Sequence, residues 1–225
     1  MTSHPGSPLI IAIDGPSGAG KGTVARAVAA KLGYRHVDTG AMYRALAWKA
    51  VYERLDLGDE AAVTALAARV VIDVSDGVVR VDGHDVKSAI RTPEIDRAAA
   101  AVARQPGVRE VLIRQQRAMG VRGGVVMEGR DIGTVVFPSA DVKIYMDASP
   151  EERARRRATD PSHASGKGTV AVQDVASALA ERDLSDSTRK ASPLAMAADA
   201  VLIDTTGLPI EEVVERVLAL VAQKR

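Results

Sequence analysis

The stretch LIIAIDGPSGAGKGTVARAVAAKL, Leu9 to Leu32, decides the fold. It reads as a short apolar strand, a glycine-rich turn and an amphipathic helix. The turn Gly15-Pro16-Ser17-Gly18-Ala19-Gly20-Lys21-Gly22-Thr23 carries the phosphate-loop spacing G-x-x-x-x-G-K, from Gly15 through Gly20 to Lys21. Glycines let backbone N–H groups approach an anion without a Cβ in the way. The helix that follows offers unpaired N–H groups and the positive end of its dipole. Lys21 adds a mobile charge for the outer phosphates. Strand, spacing, lysine and helix in this order point to phosphate binding over a turn that binds nothing.

One position departs from the general motif. Gly22 follows the lysine where Ser or Thr is usual, and Thr23 comes one later. The customary hydroxyl ligand for Mg²⁺ is therefore missing. Thr23 is left to reach an inner phosphate, and the metal is expected to be held through phosphate oxygens and water, with no protein ligand.

Outward from this stretch, five apolar segments qualify as core strands: 9–13, 34–37, 125–127, 142–146 and 200–204. Helical spacing separates each from the next, which predicts an α/β fold with a five-stranded parallel sheet flanked by helices. A helix from about 40 has Met42, Leu46, Ala50 and Leu55 on its apolar stripe. Arg44 lies near its start, after the polar strand end Asp38-Thr39-Gly40. A cation there is disfavoured unless an anion is present, so it is either a solvated arginine or an anion ligand. Residues 70–90 alternate apolar and polar, with Asp-Gly twice at hairpin spacing, which predicts a small antiparallel meander inserted between helices.

Thr92-Pro93-Glu94 opens an Ala-rich helix. Another runs from about Val108 to Met119, with Val111, Leu112, Ala118 and Met119 inward. Glu128-Gly129-Arg130-Asp131 follows a strand end, where open α/β sheets place ligands. Ser149-Pro150-Glu151-Glu152 reads as a helix start with a capping box. The helix after it carries Arg153, Arg155, Arg156 and Arg157, which taken alone is a solvated basic face. Residues 159–169 have flap composition. A helix is expected over Gln173 to Asp183, with Arg182, Asp183, Asp186, Arg189 and Lys190 crowded after it. The final helix places Ile210, Val213, Val214, Val217, Leu218 and Val221 inward.

The chain of 225 residues has a formal net charge of +1 and only 3% aromatic residues, so neither a global basic field nor base-stacking platforms argue for nucleic acid. Its apolar runs are too short for a membrane span. It has no cysteine, which excludes disulfides, thiolate metal sites and thiol nucleophiles and fits a cytoplasmic location. Residues 1–8 read as a frayed tail. The four histidines, His4, His36, His84 and His163, are scattered and read as surface or structural. No exposed apolar seam is evident, so a monomer is expected.

Together the stretches IDGPSGAGKGT (13–23), DTGAMYRA (38–45), IRTPEI (90–95), VREVLIRQQR (108–117), EGRDIGTVVFPSADVKIYMDASPEERARRR (128–157) and ERDLSDSTRKASPL (181–194) resemble the bacterial cytidylate kinases, a family of nucleoside monophosphate kinases. The resemblance implies ATP-dependent phosphorylation of CMP and dCMP, with Mg²⁺, in pyrimidine nucleotide metabolism. It implies a single unit over 1–225, with a core over 9–60 and 106–225, a monophosphate-binding insertion at about 64–105 and a lid at about 157–172.

Position by position, acceptor-phosphate contacts fall on Thr39, Arg44, Arg130 and Arg189, next to Asp38. Cytosine reading falls on Arg109 and Asp131, and ribose contacts on Arg182 and Asp186. A further base contact, often serine, falls on Ala100, which lacks the hydroxyl. The arginines facing the transferring phosphate fall within 153–157, on Arg153 and Arg157. Arg109 and Asp131 also suit a structural ion pair. The competing functions are a UMP or dTMP kinase and a regulatory nucleotide-binding switch.

Overall fold

The computed structural model of the protein describes residues 7–160 and 172–225. Five strands form one parallel sheet: β1 (Ile10–Asp14), β2 (Arg35–Asp38), β6 (Val125–Gly129), β7 (Val142–Asp147) and β8 (Val201–Asp204), in the order β2-β6-β1-β7-β8. Alternation sorts their side chains to two faces. Ala12, Val37, Val125 and Met127 face α2 (Thr39–Tyr52), α3 (Glu60–Arg69), α4 (Pro93–Val102) and α5 (Pro106–Gly120). Ile11, Ile13, Val126, Ile144 and Met146 face α1 (Lys21–Leu32) and α8 (Ile210–Ala222). Burial on both faces explains the near-continuous apolar runs of β1, β6 and β7; β2 is mixed in sequence, and the edge strand β8 buries only Ile203.

The meander is present as β3 (Ile72–Asp73), β4 (Arg80–Val81) and β5 (His84–Asp85), an antiparallel sheet of its own. It joins the main sheet at one bridge, Val37 to Ser75. Its valines share the α2–α5 core.

The register sets up the site. Asp38 of β2 pairs with Glu128 of β6, Asp14 of β1 with Gly129 and Tyr145, and Asp147 of β7 with Asp204 of β8. Acidic strand ends thus lie along one carboxyl edge, where the phosphate loop also begins. Gly15 is required there. At its φ of +143°, a Cβ would stand 1.9 Å from the Met146 carbonyl oxygen.

Several expectations are corrected. The helix expected to include Leu55 stops at Tyr52, because Arg54 turns the chain at φ +58° and Leu55 packs on the core from beyond the helix. Helix α3, capped by the Asp59 side chain on Ala62 N, was not anticipated, although Val63, Leu66 and Ala67 give it a regular buried stripe. On α5, Ala118 is exposed and Gln116 takes the inward place at helical spacing from Leu112. Ile210 is exposed as the first residue of α8.

Ser149 caps α6 (Pro150–Thr159) through the Glu152 N–H, but no capping box forms. Glu152 turns to Arg155 and Arg156, and the Ser149 N–H donates to Thr206. Helix α7 (Val172–Thr188) runs past Asp183, so Arg182 and Asp186 sit on the helix, one turn apart on one face. Of the lid expected at about 157–172, residues 161–171 lie outside the described residues, as do residues 1–6 of the tail.

Candidate active site

A cleft of about 1470 Å³ opens along the carboxyl edge, between the phosphate loop, α2, α4, the end of β6 and α7. Single small-ligand pockets run to roughly 300–1,000 Å³, so this one has room for two nucleotides. Residues Ser17 to Thr23 line one side; Gly15 and Pro16 lie behind them. Helix α1 begins at Lys21, with Gly20 before it at φ +89°, so its first N–H groups face the cleft.

Lys21 is 6% exposed, and its Nζ donates to the Pro16 carbonyl at 2.6 Å. Burial first, then repulsion from Arg130, pushes its pKa down to about 7; Glu128 and Asp14 act in the opposite direction.

Opposite the loop stand the sequence-predicted arginines, and Arg44, Arg109, Arg130 and Arg189 each have a carboxylate or carbonyl partner. Asp38 caps α2 by accepting from Ala41 N and also accepts from Arg44 at 3.1 Å. Thr39 donates to the Glu128 carbonyl at 2.7 Å. Arg130 donates to Asp186 at 3.0 Å and to the Gly129 carbonyl. Arg189 donates to the Ser192 carbonyl and lies 3.4 Å from Asp186 and 3.8 Å from Asp131. Arg109 donates to Asp131 at 2.6 Å and lies over the Tyr43 ring. Ala100 lines the same side, as do Arg182 and Asp186.

These cations crowd one another. Arg130 lowers the pKa of both Lys21 and Arg182, Arg44 acts likewise on Arg157 and Arg182, and Arg109 on Arg189. In each case the first cause is burial and like charge adds to it. Arg44 Nε, Arg109 Nε and one terminal nitrogen of Arg189 are buried without a hydrogen-bond partner. Donors left over in a cluster of mutually repelling cations suit an anionic ligand.

The run 153–157 divides. Arg157 lines the cleft and donates to Asp96 at 2.6 Å. Arg153 is not among the lining residues. Its guanidinium turns behind the phosphate loop to the Ser17 and Ala148 carbonyls and to Asp183, so the expectation that it faces the transferring phosphate is not met in this arrangement. The expected solvated basic face holds only for Arg155, whose side chain is 64% exposed, because Arg156 is bound to Glu152 and Thr205.

Three buried groups had no role in the sequence reading. Asp14 accepts from Ile132 N at 2.8 Å and Gly133 N at 2.7 Å, holding the π-helical turn Ile132–Val136 that follows Arg130 and Asp131. Burial raises its pKa to about 6 against the pull of those two N–H groups. Its signal was a lone acid at the end of an apolar run. Glu128 and His36 are 2.9 Å apart, and both line the cleft. Of the two readings expected for it, surface or structural, His36 takes the second: it is buried and paired. On the loop side, Thr205, Leu208, Pro209 and Ile210 complete the wall; the polar run Asp204-Thr205-Thr206 after the last strand was the available sign. Among the described residues no three His, Cys, Asp or Glu side chains gather to hold a metal, and no helix is long and apolar enough to cross a membrane.

The family model for cytidylate kinase matches residues 11–223. A cytidylate kinase from Pelotomaculum thermopropionicum is 49% identical over 221 residues, covering 96% of each chain. One from Solibacter usitatus is 46% identical over 216 residues, 96% of this chain and 93% of that one. A bifunctional pantoate ligase/cytidylate kinase from a Synechococcus species is 48% identical over 96% of this chain and 44% of its own length. Among solved structures, a shikimate kinase from Bacteroides thetaiotaomicron superposes with a TM-score of 0.53 at 13% identity, over 95% of this chain and 98% of that one, which is a likeness of fold. The match of the family model to nearly the whole chain, with identities near one half, means that this protein belongs to the cytidylate kinase family.

Proposed function

We propose that the chain transfers the terminal phosphoryl group of ATP to CMP and dCMP, giving ADP and the nucleoside diphosphate. The observation that carries this reading is the convergence, in one cleft, of a phosphate loop and a second, separate set of guanidinium groups. A nucleotide switch needs only the first.

The acceptor phosphate is mostly dianionic at pH 7, since its second pKa is about 6. It needs no general base, and the histidine that lines the cleft among the described residues, His36, is engaged by Glu128. Catalysis is then positioning plus charge neutralisation for an in-line transfer. The loop N–H groups of 15–23 and Lys21 hold the donor. Thr39, Arg44, Arg130 and Arg189 hold the acceptor phosphate, in the neighbourhood of Asp38. Arg109 and Asp131 read cytosine, Arg182 and Asp186 contact the sugar, and Arg157 lies toward the transferring phosphate. Arg153 acts from behind, on the loop.

The donor is taken as its Mg²⁺ complex; when bound, the ion neutralises phosphate oxygens. Phosphates and water must supply most of its ligands here, because no all-protein cage exists among the described residues. The insertion at about 64–105 and the lid at about 157–172 close over acceptor and donor, and the protein works as a cytoplasmic monomer. A coupled assay with ATP against CMP, dCMP, UMP, AMP and dTMP tests this. ADP release should depend on CMP or dCMP and be weak with the others. ADP release indifferent to CMP would overturn the reading in favour of a switch.

A further inference from the structure

A residue at the start of a helical turn commonly caps it with its own side chain, and aspartate is among the best at this. Asp131 holds that place before the π-helical turn Ile132–Val136, and its carbonyl opens the turn by accepting from Val135 N at 2.9 Å and Val136 N at 3.1 Å. Its carboxylate makes no cap bond. That carboxylate accepts instead from Arg109 at 2.6 Å, on the cleft wall. The cap comes from another strand. Asp14, the last residue of β1 and 5% exposed, accepts from the first two N–H groups of the turn, Ile132 N on Oδ1 and Gly133 N on Oδ2. Asp14 is not among the residues that line the cleft, so it acts on a substrate only through what it holds. Position 133 leaves little room beside this contact. A Cβ on Gly133 would stand 3.4 Å from Asp14 Oδ2 and 3.3 Å from Lys143 Cδ.

We infer that Asp14 is a positioning residue for base selection: by capping the turn in place of Asp131, it frees the Asp131 carboxylate for the acceptor's base and fixes its direction. The inference rests on the reading of Asp131 as the group that recognises cytosine. An Asp131 that capped its own turn would have to swing its carboxylate back toward the turn and away from Arg109. Two hydrogen bonds to an ionised acceptor, each stronger than a neutral one, hold the turn so that this does not happen. The alternative is that Asp14 only stabilises the fold.

The ratio of kcat/KM for CMP over UMP separates the two roles. Asp14→Asn offers one oxygen and turns an amide N–H toward the other donor, so it should lower the ratio by about 3–10-fold, the scale of one weakened hydrogen bond. Asp14 also supports the charge of Lys21, so this variant can weaken ATP binding as well. Gly133→Ala crowds the same carboxylate with no change of charge. It should lower the ratio by a smaller factor and leave KM for ATP at the wild-type value, and it decides alone if Asp14→Asn does not fold. Asp131→Asn gives the reference loss. Adding Asp14→Asn to it should lower the ratio no further, since the one residue acts through the other. A role in stability alone would lower the melting temperature and leave the ratio as in wild type. That result, beside a lowered ratio in Asp131→Asn, would overturn this inference and spare the reading of Asp131, and so would a full further loss in the double variant. An unchanged ratio in Asp131→Asn would overturn both.

Discussion

The two sides of the cleft are built by different means. The donor side is one continuous stretch, Ser17 to Thr23, in which backbone N–H groups and a helix start do the holding. Its single cation, Lys21, is hydrogen-bonded to a carbonyl and not to a carboxylate. The acceptor side takes Arg44, Arg109, Arg130, Asp186 and Arg189 from separate parts of the chain, and its guanidiniums are held ready by acids: Arg44 by Asp38, Arg109 by Asp131, Arg130 by Asp186. Backbone geometry survives side-chain substitution. A web of buried ion pairs does not, because removing one member strands the other. The donor side should therefore respond to mutation through charge alone, and the acceptor side through charge and geometry together.

The largest effects test that contrast directly. Lys21→Met and Arg130→Ala should each lower kcat by about 10²–10³-fold, the cost typical of losing one preorganised transition-state donor. They should differ in binding. Lys21→Met leaves CMP affinity near wild type, while Arg130→Ala leaves ATP affinity near wild type and weakens CMP. Initial rates and calorimetry on each substrate decide it. Equal weakening of ATP and CMP by Arg130→Ala would mean that the two sides are not separate.

How much of this was legible follows the same division. The phosphate loop is local, so spacing in the sequence specified it, and β1, β6 and β7 stood out because burial on both faces leaves nearly unbroken apolar runs, while β2 and the exposed edge strand β8 offered only short, mixed stretches. The acceptor set could be assembled only through a family resemblance, since no spacing relates Arg44 to Arg189. Even then, pairing was out of reach. Arg153 and Arg157 stand four apart on one helix, yet one reaches behind the loop to the Ser17 carbonyl and the other meets Asp96. Glu128 and His36 were passed over because a strand pairing, His36 beside β6, brings them together.

A smaller effect sharpens the acceptor side from within. Asp131→Asn keeps the shape of the side chain but loses full acceptance from an amino group. If Asp131 reads cytosine, the ratio of kcat/KM for CMP over UMP should fall by about 1–3 kcal/mol. The same change also leaves Arg109 buried without its counter-charge, so thermal stability will drop whichever role is correct. The ratio is the deciding quantity because it cancels that loss. A ratio equal to wild type would make the Arg109–Asp131 contact a structural pair only.

The smallest effect concerns protons on the donor side. With Lys21 pushed down to about 7 by burial and by Arg130, much of the ligand-free protein carries a neutral lysine at pH 8. In the window from about 7 to 10.5 the unfolded chain binds the extra proton, so this group's contribution to stability rises with pH there. Donor phosphates reverse the balance. Their negative charge favours the ammonium, so binding must draw a proton from solvent. Affinity for ATP should accordingly weaken by up to about tenfold per pH unit above 7 and change little below it. At pH 8 the nucleotide is almost fully ionised, its phosphate pKa being about 6, so calorimetry in buffers of different ionisation enthalpy should register uptake by the protein approaching one proton. Lys21→Met should abolish it. CMP binding, on the side where arginines stay charged throughout this range, should show almost none; uptake of equal size for both ligands would assign the proton to the cleft as a whole and remove the distinction between its two walls.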